Sequence, residues 1–320
     1  MRYHRIVDPW GLVFGIGLPL LAAATQLGVV GAWRARLPDR IATHWSGSEP
    51  DGFSNPTTFG WQMALVILLV GGGCCAIAAL AQAMLLMRRT MLLVGLPVVG
   101  LLLAVGIGAV GVQLDQVAPE PRFPGWTLGV GTLVGFALGL LGARLLRDYR
   151  TRVPATAAPP VELPRGPAVP VAETVGFSGR DLTIVGGLLA VGVALGCWFT
   201  DSLWPLYTAL PAALLLLWLS RYRITVDRRG VRVRNLGMTS VAVDLDEITG
   251  AEVVEVRALR DFGGWGLRVR RPGRYGIVTR TGTAVRIGTT GSLTLTITAD
   301  KAAAMAGALN SYADRLHDRA

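Results

Sequence analysis

Six long apolar runs constrain what this chain can fold into more than any other feature of its sequence. A helix of about 20 apolar residues crosses a bilayer, and about 17 residues is the lower limit. The chain is 52% hydrophobic and only 16% charged, a balance typical of membrane proteins. The runs cover residues 10–32, 61–87, 91–113, 126–145, 182–199 and 203–219. We therefore predict a polytopic α-helical membrane protein with about six transmembrane helices.

The placement of the arginines predicts how these helices are oriented. If there are six spans, the basic segments at 2–5, 88–90 and 144–152 and the whole chain after residue 221 fall on one side of the membrane. Lys and Arg are enriched on the cytoplasmic side. We expect a multi-pass protein of the plasma (inner) membrane with both termini in the cytoplasm. Three arginines in the predicted outer loop, 33–60, count against this orientation.

The sequence divides into four parts. Residues 1–152 form a four-span membrane unit that carries the extracytoplasmic loop 33–60. Residues 153–180 are rich in Pro and Ala, which predicts an extended cytoplasmic linker, and 181–220 predict a tight two-span hairpin. Over 221–320 the hydrophobic pattern changes to alternation and then to a helical period, which predicts about seven short strands followed by an amphipathic helix.

The last part resembles the bacterial pleckstrin-homology-like domains that are attached to membrane proteins. The resemblance rests on the strand pattern, on the glycine-aromatic loop GGWG at 263–266 and on the C-terminal helix, for which Thr298 or Asp300 is available as the N-cap. It implies a small cytoplasmic β-rich domain that binds a lipid or a protein partner.

Small residues dominate the apolar runs. Spaced glycines let helix backbones approach closely, so we expect them to serve helix packing. Ionisable residues are missing from the middle of every predicted span, which argues against an ion-coupled transporter. The glycines at this spacing are Gly131, Gly135 and Gly139 in the fourth run and Gly192 and Gly196 in the fifth.

Two arginine clusters are candidates for contact with anionic lipid headgroups. Residues 221–320 hold seventeen basic and ten acidic side chains, and each arginine near an anionic surface contributes about 1 kcal/mol. A cytoplasmic protein partner is the alternative, whereas nucleic acid is not expected. The candidates are Arg144, Arg147, Arg150 and Arg152 after the fourth run, and Trp265, Arg268, Arg270, Arg271 and Arg274 in the last part.

The loop RLPDRIATHWSGSEPDGFSNP, residues 36–56, is the strongest motif in the chain. His44, Glu49 and Asp51 have the donor types of a metal site, but their spacing matches no known zinc pattern. The remaining histidines are predicted on the other side of the membrane, and no nucleophile, base and acid occur together. We predict no catalytic residue, cofactor or metal. The residues EPDG (49–52) are a turn signal, and His44 can hydrogen-bond to Asp51 or to a carbonyl.

This loop resembles the signature of the membrane-protein family called domain of unknown function 1648, which also occurs in SdpI-type immunity proteins of Gram-positive bacteria. The chain departs from the signature at Ala42, where proline is usual, and at Pro56, near a position that is often basic. The resemblance implies a family-specific outer loop without assigned chemistry. The matching residues are Leu37, Pro38, Ile41, His44, Trp45, Pro50, Asp51 and Gly52.

Three functions are compatible with these patterns. The first is a non-enzymatic sensory, scaffold or immunity-type protein that couples the outer loop to a cytoplasmic binding domain. The second is a carrier or permease for a lipid-like solute, and the third is a membrane metalloenzyme that uses His44, Glu49 and Asp51.

Overall fold

The computed structural model describes residues 5–46, 49–116, 123–177, 179–201, 203–271, 273–291 and 293–318. Its internal contacts divide the chain into two units. The first unit consists of Met1–Tyr149 and Val185–Leu215, and the second of Arg150–Ile184 and Leu216–Ala320. Five helices in the described residues are long and apolar enough to cross a membrane.

Four of these helices and one β-hairpin make up most of the first unit. The helices are α1 (Pro9–Arg36), α2 (Pro56–Ala79), α3 (Leu85–Gly111) and α4 (Trp126–Leu145). Between α1 and α2 the strands β1 (Ile41–Ser46) and β2 (Glu49–Ser54) pair antiparallel. Leu92, Leu96 and Ile67 lie in the buried cluster between the helices. The apolar runs of the sequence thus form the expected helices, packed on one another.

The second and third helices begin earlier than the apolar runs indicate. α2 starts at Pro56, because the Asn55 side chain accepts a hydrogen bond from Thr57 N and proline fits the first helical position. α3 starts at Leu85, so residues 88–90, which separate the second and third apolar runs of the sequence, lie inside this helix. Its two arginines lie near the start of α3 and are buried.

The predicted glycine face of α4 lies directly on α3. A Cβ atom at Gly135 would lie 2.7 Å from Pro97 Cα, and one at Gly139 would lie 2.9 Å from Leu92 O. A Cβ at Gly131 would lie 2.7 Å from the side chain of Ala104. Carbon atoms do not approach so closely, so only glycine permits this helix spacing.

The predicted two-span hairpin forms α5 (Gly179–Thr200) and α6 (Trp204–Leu219). Only α5 is long enough to count as a candidate span, over Leu182–Thr200, and none of that window is buried. Gly192 has no described atom within 4 Å of the position of its Cβ, and Gly196 meets only Pro205. The packing predicted for these two glycines is not seen within the described chain.

The second unit contains two sheets and a C-terminal helix. One sheet is antiparallel with the order β3-β4-β5-β6, and the other has the order β7-β10-β11-β9-β8, in which β9 and β11 run parallel. Eight described strands follow residue 221, against about seven predicted. The elements are β3 (Val171–Val175), β4 (Tyr222–Asp227), β5 (Gly230–Asn235), β6 (Met238–Asp244), β7 (Ile248–Val256), α7 (Ala258–Phe262), β8 (Gly266–Arg271), β9 (Arg274–Val278), β10 (Gly282–Thr289), β11 (Thr294–Thr298) and α8 (Ala302–His317).

Residues 150–175, which we call the strap, are folded onto this unit. The strap supplies β3, and the Arg165 guanidinium forms an ion pair with Asp314 of α8 at 2.8 Å. The Glu173 carboxylate accepts hydrogen bonds from the backbone N–H groups of Asp300 and Lys301 at the start of α8. This differs from the extended linker predicted at 153–180. The N-cap residue of α8 is Lys301, which makes no side-chain capping hydrogen bond, so neither Thr298 nor Asp300 is the cap that the sequence predicts.

Tyr222 opens β4 opposite Val175 of β3 and is buried. Burial raises the pKa of its phenol above the ordinary value of about 10 to about 12. Folding therefore favours the neutral phenol. Its contribution to the free energy of unfolding is complete below pH 10 and is lost as the pH rises towards 12. In a difference titration of phenolate absorbance, Tyr222→Phe should remove one group that ionises near pH 12. Removal of a group that ionises near pH 10 would contradict this burial.

Candidate functional site

The β1–β2 hairpin carries the motif of residues 36–56. His44 pairs with Gly52 and Trp45 with Pro50, and the register shifts on both sides of His44. The EPDG residues lie in β2, so the turn predicted there is wrong; the strands connect at 47–48, outside the described residues. Pairing of β2 with β1 overrides the local turn preference of Pro and Gly.

His44 and Asp51 form the polar pair of this hairpin. His44 Nδ1 lies 2.6 Å from Asp51 Oδ1, and the two side chains are 71% and 47% exposed. The contact is one of the two hydrogen bonds that the sequence allows for His44, the other being to a backbone carbonyl. A Cβ atom at Gly52 would lie 2.9 Å from His44 Cβ, so glycine is needed directly across from the histidine. The pair is therefore held in place and open to solvent.

Gln113 anchors the hairpin to the helices. Its Oε1 accepts a hydrogen bond from Ala42 N at 2.6 Å, and its Nε2 donates to Ala42 O at 2.9 Å and to Ala109 O at 2.6 Å. Gln113 and Ala42 are fully buried. The N–H of Ala42 is the donor that a proline at this position would lack. Ala42, which departs from the resembled signature, is thus part of the anchor.

Other residues of the motif fasten the same hairpin. Leu37 and Ile41 are buried in a cluster with Val30 and Phe59. Arg36 pairs with Asp115, with Nε 3.1 Å from Oδ1 and 3.2 Å from Oδ2. Hydrogen bonding from Arg36 and its charge lower the pKa of Asp115 below its usual value. The inner part of the motif is therefore structural.

Gln113→Leu should free the hairpin from the helices. The substitution removes three buried hydrogen bonds and leaves the Ala42 N–H and C=O unsatisfied, which costs about 1–3 kcal/mol per group. We expect faster amide hydrogen exchange over 41–46 and 49–54 and a lower free energy of unfolding. Thr57→Ala is the control, because its N–H still binds the Asn55 cap. Unchanged exchange in the hairpin would contradict the anchor.

A metal centre at this hairpin is not supported by the described geometry. Among the residues that the structure describes, no group of three or more His, Cys, Asp or Glu side chains is placed to hold a metal ion. The side chains of Glu49 and Trp45 lie outside the described part. Of the three residues considered as candidate metal ligands, the described structure brings His44 and Asp51 together as a pair.

A buried ionic cluster lies at the other end of α3. Arg88 pairs with Asp8, and both side chains are fully buried. Its Nε donates to Ala78 O at 3.0 Å and its Nη1 to Arg147 O at 2.9 Å. Arg89 Nε donates to Ala143 O at 2.7 Å. This cluster was not predicted, because residues 88–90 separate two apolar runs in the sequence and their arginines read as a basic segment outside the spans.

The arginines predicted to contact lipid lie at the end of α4 and directly after it, and they differ in their contacts. Arg144 and Arg147 have exposed side chains. Arg150 instead forms two hydrogen bonds to the Glu247 carboxylate, at 2.9 and 2.8 Å, and Arg152 pairs with Asp244. Arg150 and Arg152 therefore fasten the strap, and only the first two remain candidates for lipid contact.

The second predicted group lies on and around β8, the edge strand of the five-stranded sheet: Arg268, Arg270 and Arg271 are in β8, Trp265 directly precedes it, and Arg274 begins β9. Trp265 and Val269 are 45% and 44% exposed. Arg270 is engaged with the backbone carbonyls of Arg260 and Asp261. Arg270, Arg271 and Arg274 also line a cavity of about 280 Å3 that Glu255 and Asp261 share. Arg268 lies beside Gly264. The carboxylates of Glu255 and Asp261 therefore offset part of the positive charge of the arginines that line this cavity.

Comparison of the chain with protein-family models, with curated proteins and with solved structures finds no match.

Proposed function

We propose that this chain is a non-enzymatic integral membrane protein of the sensory, scaffold or immunity type. In this proposal the β1–β2 hairpin faces the outside, both termini and the second unit are cytoplasmic, and an event at the hairpin is passed to a cytoplasmic binding domain. The exposed His44–Asp51 pair offers the external contact, for a peptide or lipid that carries charge.

The observation that carries this proposal is the attachment of α3 at both of its ends. At one end Gln113 binds the backbone of β1 and of α3. At the other end Arg88 and Arg89 bind carbonyl groups at Arg147 and Ala143, at the end of α4. The strap follows α4 directly in the chain. A displacement of the hairpin therefore has a continuous path of hydrogen bonds and rigid helix towards the strap.

The fold of the second unit supports a binding role. Two sheets followed by a C-terminal helix support the proposal of a pleckstrin-homology-like domain, to which β3 adds a strand. Two observations support the proposal that the chain belongs to the domain of unknown function 1648 family. Leu37, Ile41 and His44 match the resembled signature, and Leu37 and Ile41 are buried in the cluster that holds the hairpin.

Hydrogen exchange of the full-length protein in lipid nanodiscs tests the coupling. We expect Gln113→Leu to accelerate exchange in the hairpin and also at the β3–β4 pairing, 171–175 with 222–226. The control is Thr132→Val, which removes a buried hydroxyl bond within α4 and measures the general effect of lower stability. The coupling would be refuted if Gln113→Leu accelerated exchange in the hairpin but accelerated exchange at β3–β4 no more than Thr132→Val does.

A further inference from the structure

A row of arginines crosses the four-stranded sheet at the end where the chain enters β4 after α6. Arg223 of β4 lies directly opposite Thr174 of β3 on one side and Arg234 of β5 on the other. Arg221 lies directly before β4 and lines the same cavity as Arg223 and Arg234. The three arginines have exposed side chains, whereas Tyr222 and Ile224 on the other face are buried.

These arginines line an open cavity of about 250 Å3. Its described lining consists of Thr174, Arg221, Arg223, Arg234, Leu236 and Gly237, with three cations and no carboxylate among them. Like charges placed directly opposite each other destabilise a sheet. Farther along the same face, Arg232 has Asp227 at 4.0 Å. Arg232 therefore has a carboxylate nearby, whereas the described lining of the cavity holds no carboxylate for Arg221, Arg223 and Arg234.

The course of the chain indicates which anion this cavity takes. β3 and β4 are neighbours, and between them the chain forms the apolar helices α5 and α6. Val175 pairs with Tyr222, so the segments that lead into α5 and out of α6 lie side by side. Arg223 follows Leu219, the end of α6, by four residues, at most about 13 Å of extended chain. Arginines this close to a membrane-inserted helix lie at the level of the headgroups.

We propose that Arg221, Arg223 and Arg234, with the Thr174 hydroxyl, bind the phosphate of an anionic phospholipid headgroup. The proposal rests on the part of the proposed function that makes this chain an integral membrane protein. It is independent of the coupling through α3. Guanidinium groups bind phosphate through paired N–H donors, and a bound phosphate neutralises the facing charges of Arg223 and Arg234.

Lipid binding by the full-length protein in neutral detergent tests this site. Native mass spectrometry would follow the titration of phosphatidylglycerol onto wild type and onto Arg223→Gln/Arg234→Gln. Each arginine near an anionic headgroup contributes about fivefold in affinity, so we expect about 30-fold weaker binding in the double variant. Arg228→Gln/Arg229→Gln is the control, since it removes two exposed arginines from the turn at the opposite end of the same strands. Equal loss in both variants would overturn the site.

Two further arms separate lipid from free phosphate and binding from folding. Phosphatidylglycerol should raise the unfolding temperature of wild type and of the control, but not of the double variant. Without lipid the double variant should be at least as stable as wild type, because the repulsion between facing arginines is gone. A rise produced equally by inorganic phosphate would overturn the lipid as the ligand, as would retention of the lipid effect in the double variant. Hydrogen exchange of Gln113→Leu tests the coupling through α3 independently, so failure of the lipid site and failure of the coupling give different results.

Discussion

Arg88→Ala should lower the free energy of unfolding by about 3–5 kcal/mol, because it leaves the Asp8 carboxylate buried without its partner. Both side chains are fully buried, and the guanidinium also satisfies the carbonyls of Ala78 and Arg147. Unfolding of the purified protein in mixed micelles measures the effect. Arg144→Ala removes an exposed arginine from the last turn of α4 and should change stability by less than about 0.5 kcal/mol.

A double variant separates the ion pair from the loss of packing. Asp8→Asn combined with Arg88→Met removes both charges and keeps much of the side-chain volume. We expect it to be more stable than Arg88→Ala, since no uncompensated charge remains buried. If Arg88→Ala were no worse than Arg144→Ala, the buried cluster would not hold the end of α3.

Gly135→Ala and Gly192→Ala should change stability in opposite directions. A methyl group at Gly135 meets Leu96 C and Pro97 Cα at 2.7 Å, so α3 and α4 must separate, at a cost of about 1–3 kcal/mol. At Gly192 the methyl group enters open space in the described structure, and alanine is the better helix former by about 1 kcal/mol. Unfolding in mixed micelles is again the measurement.

A larger side chain at the same two positions sharpens this comparison. Gly135→Leu should prevent α3 from packing against α4, whereas Gly192→Leu should remain folded. Destabilisation at Gly192 equal to that at Gly135 would show that α5 packs closely in the functional protein. In that case the glycine spacing predicted from the sequence would serve a contact outside the described chain.

Local patterns predict the elements of this protein well. The apolar runs locate five helices that are long enough to cross a membrane, and alternation locates the strands after residue 221. Gly131, Gly135 and Gly139 are found where helix backbones meet, because their spacing of four residues is itself the geometry of the contact. The contact of His44 with Asp51 is one of the two partners that the sequence allows for this histidine.

Interactions across long stretches of chain are what local patterns do not reveal. Asp8 and Arg88 are eighty residues apart, and the triplet RRT has the composition of a loop. Glu173 binds the backbone N–H groups of Asp300 and Lys301, just before α8, from more than a hundred residues away. Arg223 and Arg234 lie opposite each other because of the register between β4 and β5. That register is set by the β4–β5 turn and by which face of the sheet is buried.

The side of the membrane on which the hairpin and the second unit lie is the central claim, and labelling of single cysteines tests it most directly. Cys74, Cys75 and Cys197 would first be replaced by Ala, and cysteine then placed at Ser48, between the hairpin strands, or at Arg228, in the β4–β5 turn. A membrane-impermeant maleimide added to intact cells should label position 48 alone, and position 228 only after lysis. Labelling of both positions in intact cells, or of neither before lysis, would contradict a protein that carries a signal from one side to the other.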